Sequence, residues 1–242
     1  MRGCVFTMIF VTVLTIVGLV VAFAVMGSYK PKTVEDELFE VLVEGALGMR
    51  RHKIPYWLDH GTLLGFTRDG YIIPGDLDAD SCIQKKDVER LMALKGYFAT
   101  RGYDLERFDR GVEWRDGIPI GEDYCRLVSR ANPKRHLDIA LAIEREGFLF
   151  DPCVSAERTL RQTWATGTIF PLKKTKVRGE TFSVPHDVDK VNFTAYNDDC
   201  YEVRKTQEKA NSDAHAFNRH TEELYRTITG QSPEEGQTSS LS

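Results

Sequence analysis

The 242-residue sequence predicts a mixed α/β (α+β) domain, helices packed on a small mixed sheet, preceded by one apolar N-terminal span. Apolar residues recur at helical spacing in some segments and in short runs of strand length in others. Glycine and proline punctuate the boundaries between these segments. From Cys4 to Met26 no charged residue occurs.

That first run exceeds the roughly 20 residues that carry a helix across about 30 Å of hydrocarbon. We read residues 4–26 as a transmembrane signal anchor, 1–3 as a short cytoplasmic tail and 27–33 as a linker in which Pro31 discourages further helix. A cleaved signal peptide is the rival, because Ala22-Phe23-Ala24 has the small-x-small form of a cleavage site. The apolar core of such peptides, about 7–15 residues, is shorter than this run. Arg2 before the span and Lys30 and Lys32 after it barely discriminate the two sides. A short leading tail and a large following domain favour a single-pass type II protein with its domain in the Golgi or ER lumen. The net charge of -4, with signs interspersed, excludes nucleic acid as a bulk electrostatic partner.

Residues 34–229 form the expected domain and 230–242 a polar tail expected to be disordered. Leu38, Val41, Leu42, Ala46 and Met49 give a helix over Val34–His52, with Thr33 as its cap. Ile54–Leu58 reads as a strand entered past Pro55, Thr62–Arg68 as a short helix, and Asp69-Gly70 as a turn. Leu77–Ile83 reads as the next strand. Asp87–Arg101 reads as one amphipathic helix through Val88, Leu91, Met92, Leu94 and Phe98, stopped by Gly102. Strands follow at Tyr103–Phe108 and Tyr124–Val128, then a buried strand at Leu137–Ile143. Two short strands flank Arg178-Gly179, and residues 203–229 can form helix.

The chemistry concentrates in Tyr56–Ile83, YWLDHGTLLGFTRDGYIIPGDLDADSCI. Asp76, Asp78 and Asp80 alternate, so on a strand they share a face. Like charges this close call for a hard divalent cation, Mg²⁺ or Mn²⁺, held by oxygen ligands. The run lacks the Gly and distal Glu of an EF-hand loop. Upstream, Gly61-Thr62-Leu63-Leu64-Gly65 opens an apolar helical run whose first amides can receive phosphate. Together these suggest phosphoryl chemistry on a nucleotide-type donor. Asp138, between Leu137 and Ile139, can add a carboxylate from a neighbouring strand; otherwise it bonds backbone amides at a strand end.

Other residues divide between functional and bland roles. Arg68 suits a fork contact to phosphate, or is simply a surface residue. Lys173, Lys174, Lys176 and Arg178 read as a solvated strand face, His60 as structural, and Tyr56 and Trp57 as core. His136 suits Mg²⁺ poorly. Cys82, Cys125, Cys153 and Cys200 allow two disulfides in one of three pairings, or free thiols. Asn192-Phe193-Thr194 is a glycosylation sequon.

These motifs resemble the LicD family, the group that includes fukutin and fukutin-related protein. The resemblance rests on Gly61–Gly65, Arg68, Gly70–Pro74 and Asp76–Asp80, then on Arg135–Ile139, Ile169–Leu172, Val177-Arg178-Gly179 and Val184-Pro185. It implies a nucleotidyltransferase-like fold and metal-assisted transfer of a phospho-alcohol, such as ribitol, choline or glycerol phosphate, from a CDP-activated donor to a glycan hydroxyl. It implies Gly61, Thr62 and Arg68 on the donor, Asp76, Asp78, Asp80 and Asp138 on metal, and Asp78, Asp80 and Asp138 as catalytic. Gly75, where relatives carry Trp, and Asn197–Cys200, where they close with Tyr-Gly-x-x-Trp, depart from the pattern and bear on substrate fit. The alternatives are a sugar-phosphate transferase, an Asp-x-Asp glycosyltransferase using a nucleotide sugar, and a non-catalytic membrane partner of another transferase.

Overall fold

The computed structural model describes Thr15, Val17 and residues 32–202 and 219–231. Those two residues apart, the expected anchor at Cys4–Met26 lies outside the described residues, as do residues 203–218 and 232–242. Among the described residues no helix is long and apolar enough to cross a membrane. The chain divides into Met1–Thr33 and Val34–Ser242, and the fold described is that of the second unit.

Helix α1 (Val34–Arg51) follows its apolar spacing, burying Leu38, Val41, Leu42, Ala46 and Met49. Glu35, Asp36 and Glu37 open it and Arg50 and Arg51 close it, matching the helix dipole at both ends. Gly45 lets it approach the sheet, since a side chain there would collide with Leu137. Strand β1 (Tyr56–Leu58) leads into α2 (His60–Arg68), then β2 (Ala79–Gln84).

Three sequence-derived boundaries are corrected. Strand β2 begins at Ala79 rather than Leu77, so Asp76 and Asp78 lie in the loop before it. Pro74 and Gly75 (φ +90°) turn the chain there, and Asp76 N–H donates to Ile73 O at 3.1 Å. The expected single helix at Asp87–Arg101 is two, α3 (Val88–Met92) and α4 (Lys95–Ala99), after a 3₁₀ turn at Lys85–Asp87. Leu94 N–H donates to Leu91 O, a tighter turn that breaks the α pattern before Phe98 buries beneath Gly48 of α1. Strands β3 (Tyr103–Arg115) and β4 (Ile118–Ser129) extend well past the expected runs and join at Asp116-Gly117, both with positive φ, as a two-residue hairpin turn needs.

Strand β5 (His136–Arg145) carries the expected alternation, and β6 (Phe148–Phe150) follows through another positive-φ pair, Glu146-Gly147. Then come α5 (Ala156–Arg161), β7 (Thr163–Ala165), α6 (Thr166–Ile169), the hairpin β8 (Lys173–Val177) and β9 (Glu180–Val184), α7 (Val188–Tyr196) and α8 (Arg219–Thr229). The main sheet runs β1-β2-β5-β4-β3, with β6 on β5 and β7 on β6. Only the central pair β2/β5 is parallel among these pairings. Leu137, Ile139 and Leu141 of β5 are fully buried in the core that also takes in the α1 residues.

Two further expectations meet the structure here. The four described cysteines are free thiols, with Cys82, Cys125 and Cys200 buried, so of the two readings the unpaired one holds. Asn192 is corrected as a glycosylation acceptor. It lies in α7 at 1% exposure, and its Nδ2, the atom a glycan would join, donates to the Tyr201 hydroxyl at 3.0 Å.

Candidate active site

A cavity of about 650 Å³ opens over β2, β5 and β4 and is walled by the start of α2, the segment from Asp151 through α5, and the end of α7. Asp76, Asp78, Asp80 and Asp138 all line it, together with Gly61, Arg68 and His60. The sequence-derived carboxylates therefore converge, although only Asp80 and Asp138 do so from strands.

The register explains why those two meet. In the parallel pair β2/β5, Asp80 lies opposite Asp138; in the antiparallel pair β5/β4, Asp138 lies opposite Arg126. Facing residues on adjacent strands project to one side of a sheet, so the three form a row across its centre. Arg126 holds Asp138 in a fork, Nε to Oδ1 at 2.7 Å and Nη2 to Oδ2 at 2.9 Å. The guanidinium itself lies near the stacked rings of Phe108 and Tyr124, 5.6 and 5.5 Å from their centroids.

Helix α2 brings the glycine turn against this row. Asp59, buried, accepts from His60 N–H at 2.9 Å and from Trp57 Nε1 at 3.1 Å, fixing the helix start. Thr62 does not line the cavity. Its buried hydroxyl accepts the Asp80 N–H at 2.7 Å and so pins β2 to α2, a positioning contact in place of the expected phosphate contact. Gly61 does line it. A Cβ there would stand 3.3 Å from Asp76 Oδ2 and 3.6 Å from Asp80 Oδ2, so the missing side chain keeps the acidic wall open. Arg68 also lines the cavity, with Nε and Nη2 on Asp69 Oδ2 at 3.1 and 2.8 Å.

The electrostatics show how crowded the carboxylates are. Burial and Asp78 push Asp76 up to about 6, against Arg68. Burial and Asp138 raise Asp78. Burial, then Asp78, Asp138 and Asp76, push Asp80 up to about 8, although His60 opposes them. A donor set of hard oxygens that resist ionising together fits a divalent cation, which would relieve the repulsion. Asp78, His136 and Asp138 could hold such an ion, their ligand atoms lying within 4.8 Å of one another. Burial pushes His136 below its ordinary value, which keeps the imidazole neutral and its lone pair available.

Three contributors escaped the sequence reading, and a fourth, His136, was set aside there as a poor Mg²⁺ ligand. His136 Nε2 lies 3.9 Å from both Asp78 Oδ2 and Asp138 Oδ1. Arg126 is the fork partner just described. Asp151 Oδ2 meets His60 Nε2 at 3.1 Å; burial disfavours the imidazolium, but Asp59, Asp151 and Asp80 outweigh it and raise His60 to about 10. Asp123, also buried, is held by Lys85 at 2.9 Å and by both arms of Arg107 at 3.1 Å. Only strand register could have announced Arg126. Asp151 has no local signature at all.

The LicD/FKTN/FKRP nucleotidyltransferase-domain model matches residues 53–187, more than half of the 242 residues and the whole of this acidic wall. The ribitol 5-phosphate transferase FKRP of Mus musculus is 33% identical over 115 residues, which are 48% of this chain and 21% of that protein. The Homo sapiens protein of the same name is 32% identical over the same shares. The match thus spans about a fifth of these relatives' length. Among solved structures, the lincosamide antibiotic adenylyltransferase LnuA is 14% identical with a TM-score of 0.41, over 76% of this chain and 98% of that one. ANT(2")-Ia in complex with adenylyl-2"-tobramycin is 13% identical with a TM-score of 0.42, over 78% and 95%.

Proposed function

Since the chain belongs to the LicD/FKTN/FKRP nucleotidyltransferase-domain family, we propose that it transfers a phospho-alcohol from a CDP-activated donor to a hydroxyl of a glycan. Ribitol phosphate is the first candidate, after the named activity of the mouse and human relatives. One observation carries the reading: Asp76, Asp78, Asp80 and Asp138 line a single cavity beside Gly61 in the first turn of helix α2. We place this reaction in the Golgi or ER lumen, with Cys4–Met26 as a type II signal anchor.

In this proposal Asp76, Asp78 and Asp80, with His136 and Asp138, hold Mg²⁺ or Mn²⁺. Such an ion, when bound, would neutralise the donor diphosphate and the charge developing on the leaving nucleotide. Gly61, in the first turn of α2, leaves space for the diphosphate against the acidic wall, where the positive end of the helix dipole favours an anion. Arg68, at the rim beside Asp76, is poised to exchange Asp69 for a donor phosphate oxygen. Asp138 accepts the proton of the attacking hydroxyl on a lone pair that Arg126 leaves free, while the fork fixes the carboxylate plane.

Thermal shift of the full-length chain tests this, with CDP-ribitol, CDP-choline, CDP-glycerol or GDP-mannose and Mg²⁺ or Mn²⁺. One CDP-alcohol should stabilise the chain only with metal, and Asp78→Ala should abolish the effect. Metal-dependent binding of GDP-mannose alone would replace this reading with sugar-phosphate or glycosyl transfer.

A further inference from the structure

The charged side chains lining the cavity mostly have partners. Glu122 pairs with Arg110, Asp123 with Lys85 and Arg107, Asp138 with Arg126, Asp151 with His60, and Arg68 with Asp69. Removing these pairs leaves the crowded Asp76, Asp78 and Asp80 on one wall. Opposite in sign, and contributed by α5, is Arg158, half-buried, whose guanidinium has no hydrogen bond or ion pair among the described residues. An arginine kept partly out of water without a counter-ion is unfavourable, and its rigid planar fork matches phosphate oxygens.

The backbone beneath Arg158 is held firmly. Ser155 caps α5 by accepting Arg158 N–H at 3.4 Å. The Thr159 hydroxyl donates to Pro119 O at 3.1 Å and accepts Cys153 N–H at 2.9 Å, while Gly121 N–H donates to Cys153 O at 2.9 Å. Thr159 and Leu160 are fully buried. Helix α5 is thereby fastened to the start of β4, and Arg158 is presented from a fixed base. Its neighbour Arg161 is different. That side chain is 5% exposed and donates to Ala195 O at 3.0 Å, tying α5 to α7.

We propose that Arg158 is a second, metal-independent phosphate subsite of this cavity, separate from the carboxylate wall. The proposal rests on the transfer reading in one respect, that the substrates bring phosphate to this cavity. The phosphate at Arg158 has two sources, the donor diphosphate or a phosphate group already present on the acceptor.

Isothermal titration of the full-length chain separates them, using CDP with Mn²⁺ as the donor probe and glycerol 3-phosphate in EDTA as the acceptor probe. Arg158→Gln should weaken one of the two at least ten-fold, and Arg158→Lys should recover part of the loss. Loss confined to CDP assigns the donor, and loss confined to glycerol 3-phosphate assigns the acceptor. Binding of both probes to Arg158→Gln within two-fold of the unaltered chain overturns the subsite, as does failure of both probes to bind the unaltered chain. Asp78→Ala distinguishes the two proposals. If it abolishes CDP binding while Arg158→Gln changes nothing, the transfer reading stands and the subsite falls. If glycerol 3-phosphate binds through Arg158 but no CDP binding depends on metal or Asp78, the subsite stands and the transfer reading falls.

Discussion

Asp80→Asn should stabilise the metal-free protein at neutral pH. Asp80 lies beside Asp78, Asp138 and Asp76, accepts no hydrogen bond on its side chain among the described residues, and is pushed up to about 8. At pH 7, about three units above the 3.8 of a free aspartate yet below its own raised value, Asp80 must take up a proton as the chain folds, which costs the folded state at most ~4 kcal/mol. Asp80 retains some solvent contact and shares its repulsion with Asp78, so the recoverable part is ~1–3 kcal/mol. For a domain of about 200 residues that is a rise in Tm of roughly 2–10 °C. The neutral amide keeps the shape and can donate to a neighbouring carboxylate. Thermal denaturation in EDTA at pH 7 measures the gain. The same pair at pH 4, close to the free-aspartate value, where the unfolded carboxyl also takes up protons, should show little difference. Millimolar Mn²⁺ should reverse the order, because the unaltered chain gains an ion that Asp80→Asn holds poorly. An unchanged or lower Tm for Asp80→Asn in EDTA at pH 7 would refute the reasoning, as would a gain of equal size at pH 4.

The same shifts predict how stability depends on pH without metal. Asp76 at about 6, Asp80 at about 8 and His60 at about 10 are all raised, so the folded state binds more protons than the unfolded. Stability should therefore fall as pH rises, through the carboxylates from about 4 to about 8 and through His60 from about 6.5 to about 10; urea midpoints that are flat or rising from pH 5 to 9 would contradict this. Thr62→Val leaves the Asp80 N–H without its acceptor and should lower stability by ~1–3 kcal/mol while weakening Mn²⁺ binding, read by denaturation and calorimetry. Gly61→Ala sets a methyl 3.3 Å from Asp76 Oδ2; it should leave Tm within about 2 °C and weaken metal-dependent CDP binding about ten-fold. Asn192→Gln should lower Tm by several degrees, and glycosidase treatment of the chain expressed through a secretory pathway should not shift its mobility through this residue, because Asn192 is buried on Tyr201.

Local signals made much of this molecule legible in the sequence. Helix α1, strands β1 and β5, helix α2 and the β8/β9 hairpin appear where periodicity and turn residues place them. Each buries its own pattern, or turns on its own Gly or Asp, within a few residues. The tips of β3 and β4 were not legible, because beyond Phe108 residues of β3 are mostly exposed and bear no buried alternation. The break between α3 and α4 was not legible either, since the 3.6-residue pattern continues through it while packing beneath Gly48 decides the turn.

The site divides in the same way. The sequence by itself determined which residues carry charge near one another along the chain: Asp76, Asp78 and Asp80 after a turn, and a glycine at the head of a helix. Pairings across long separations were decided only by the tertiary structure. The parallel register of β2 on β5 sets Asp80 beside Asp138, and the register of β5 on β4 sets Asp138 on Arg126. It also turned Thr62 from ligand contact to strap, and Asn192 from surface acceptor to core. Periodicity reports which face a residue occupies on its own element; what that face meets depends on how distant elements pack, and no local pattern encodes it.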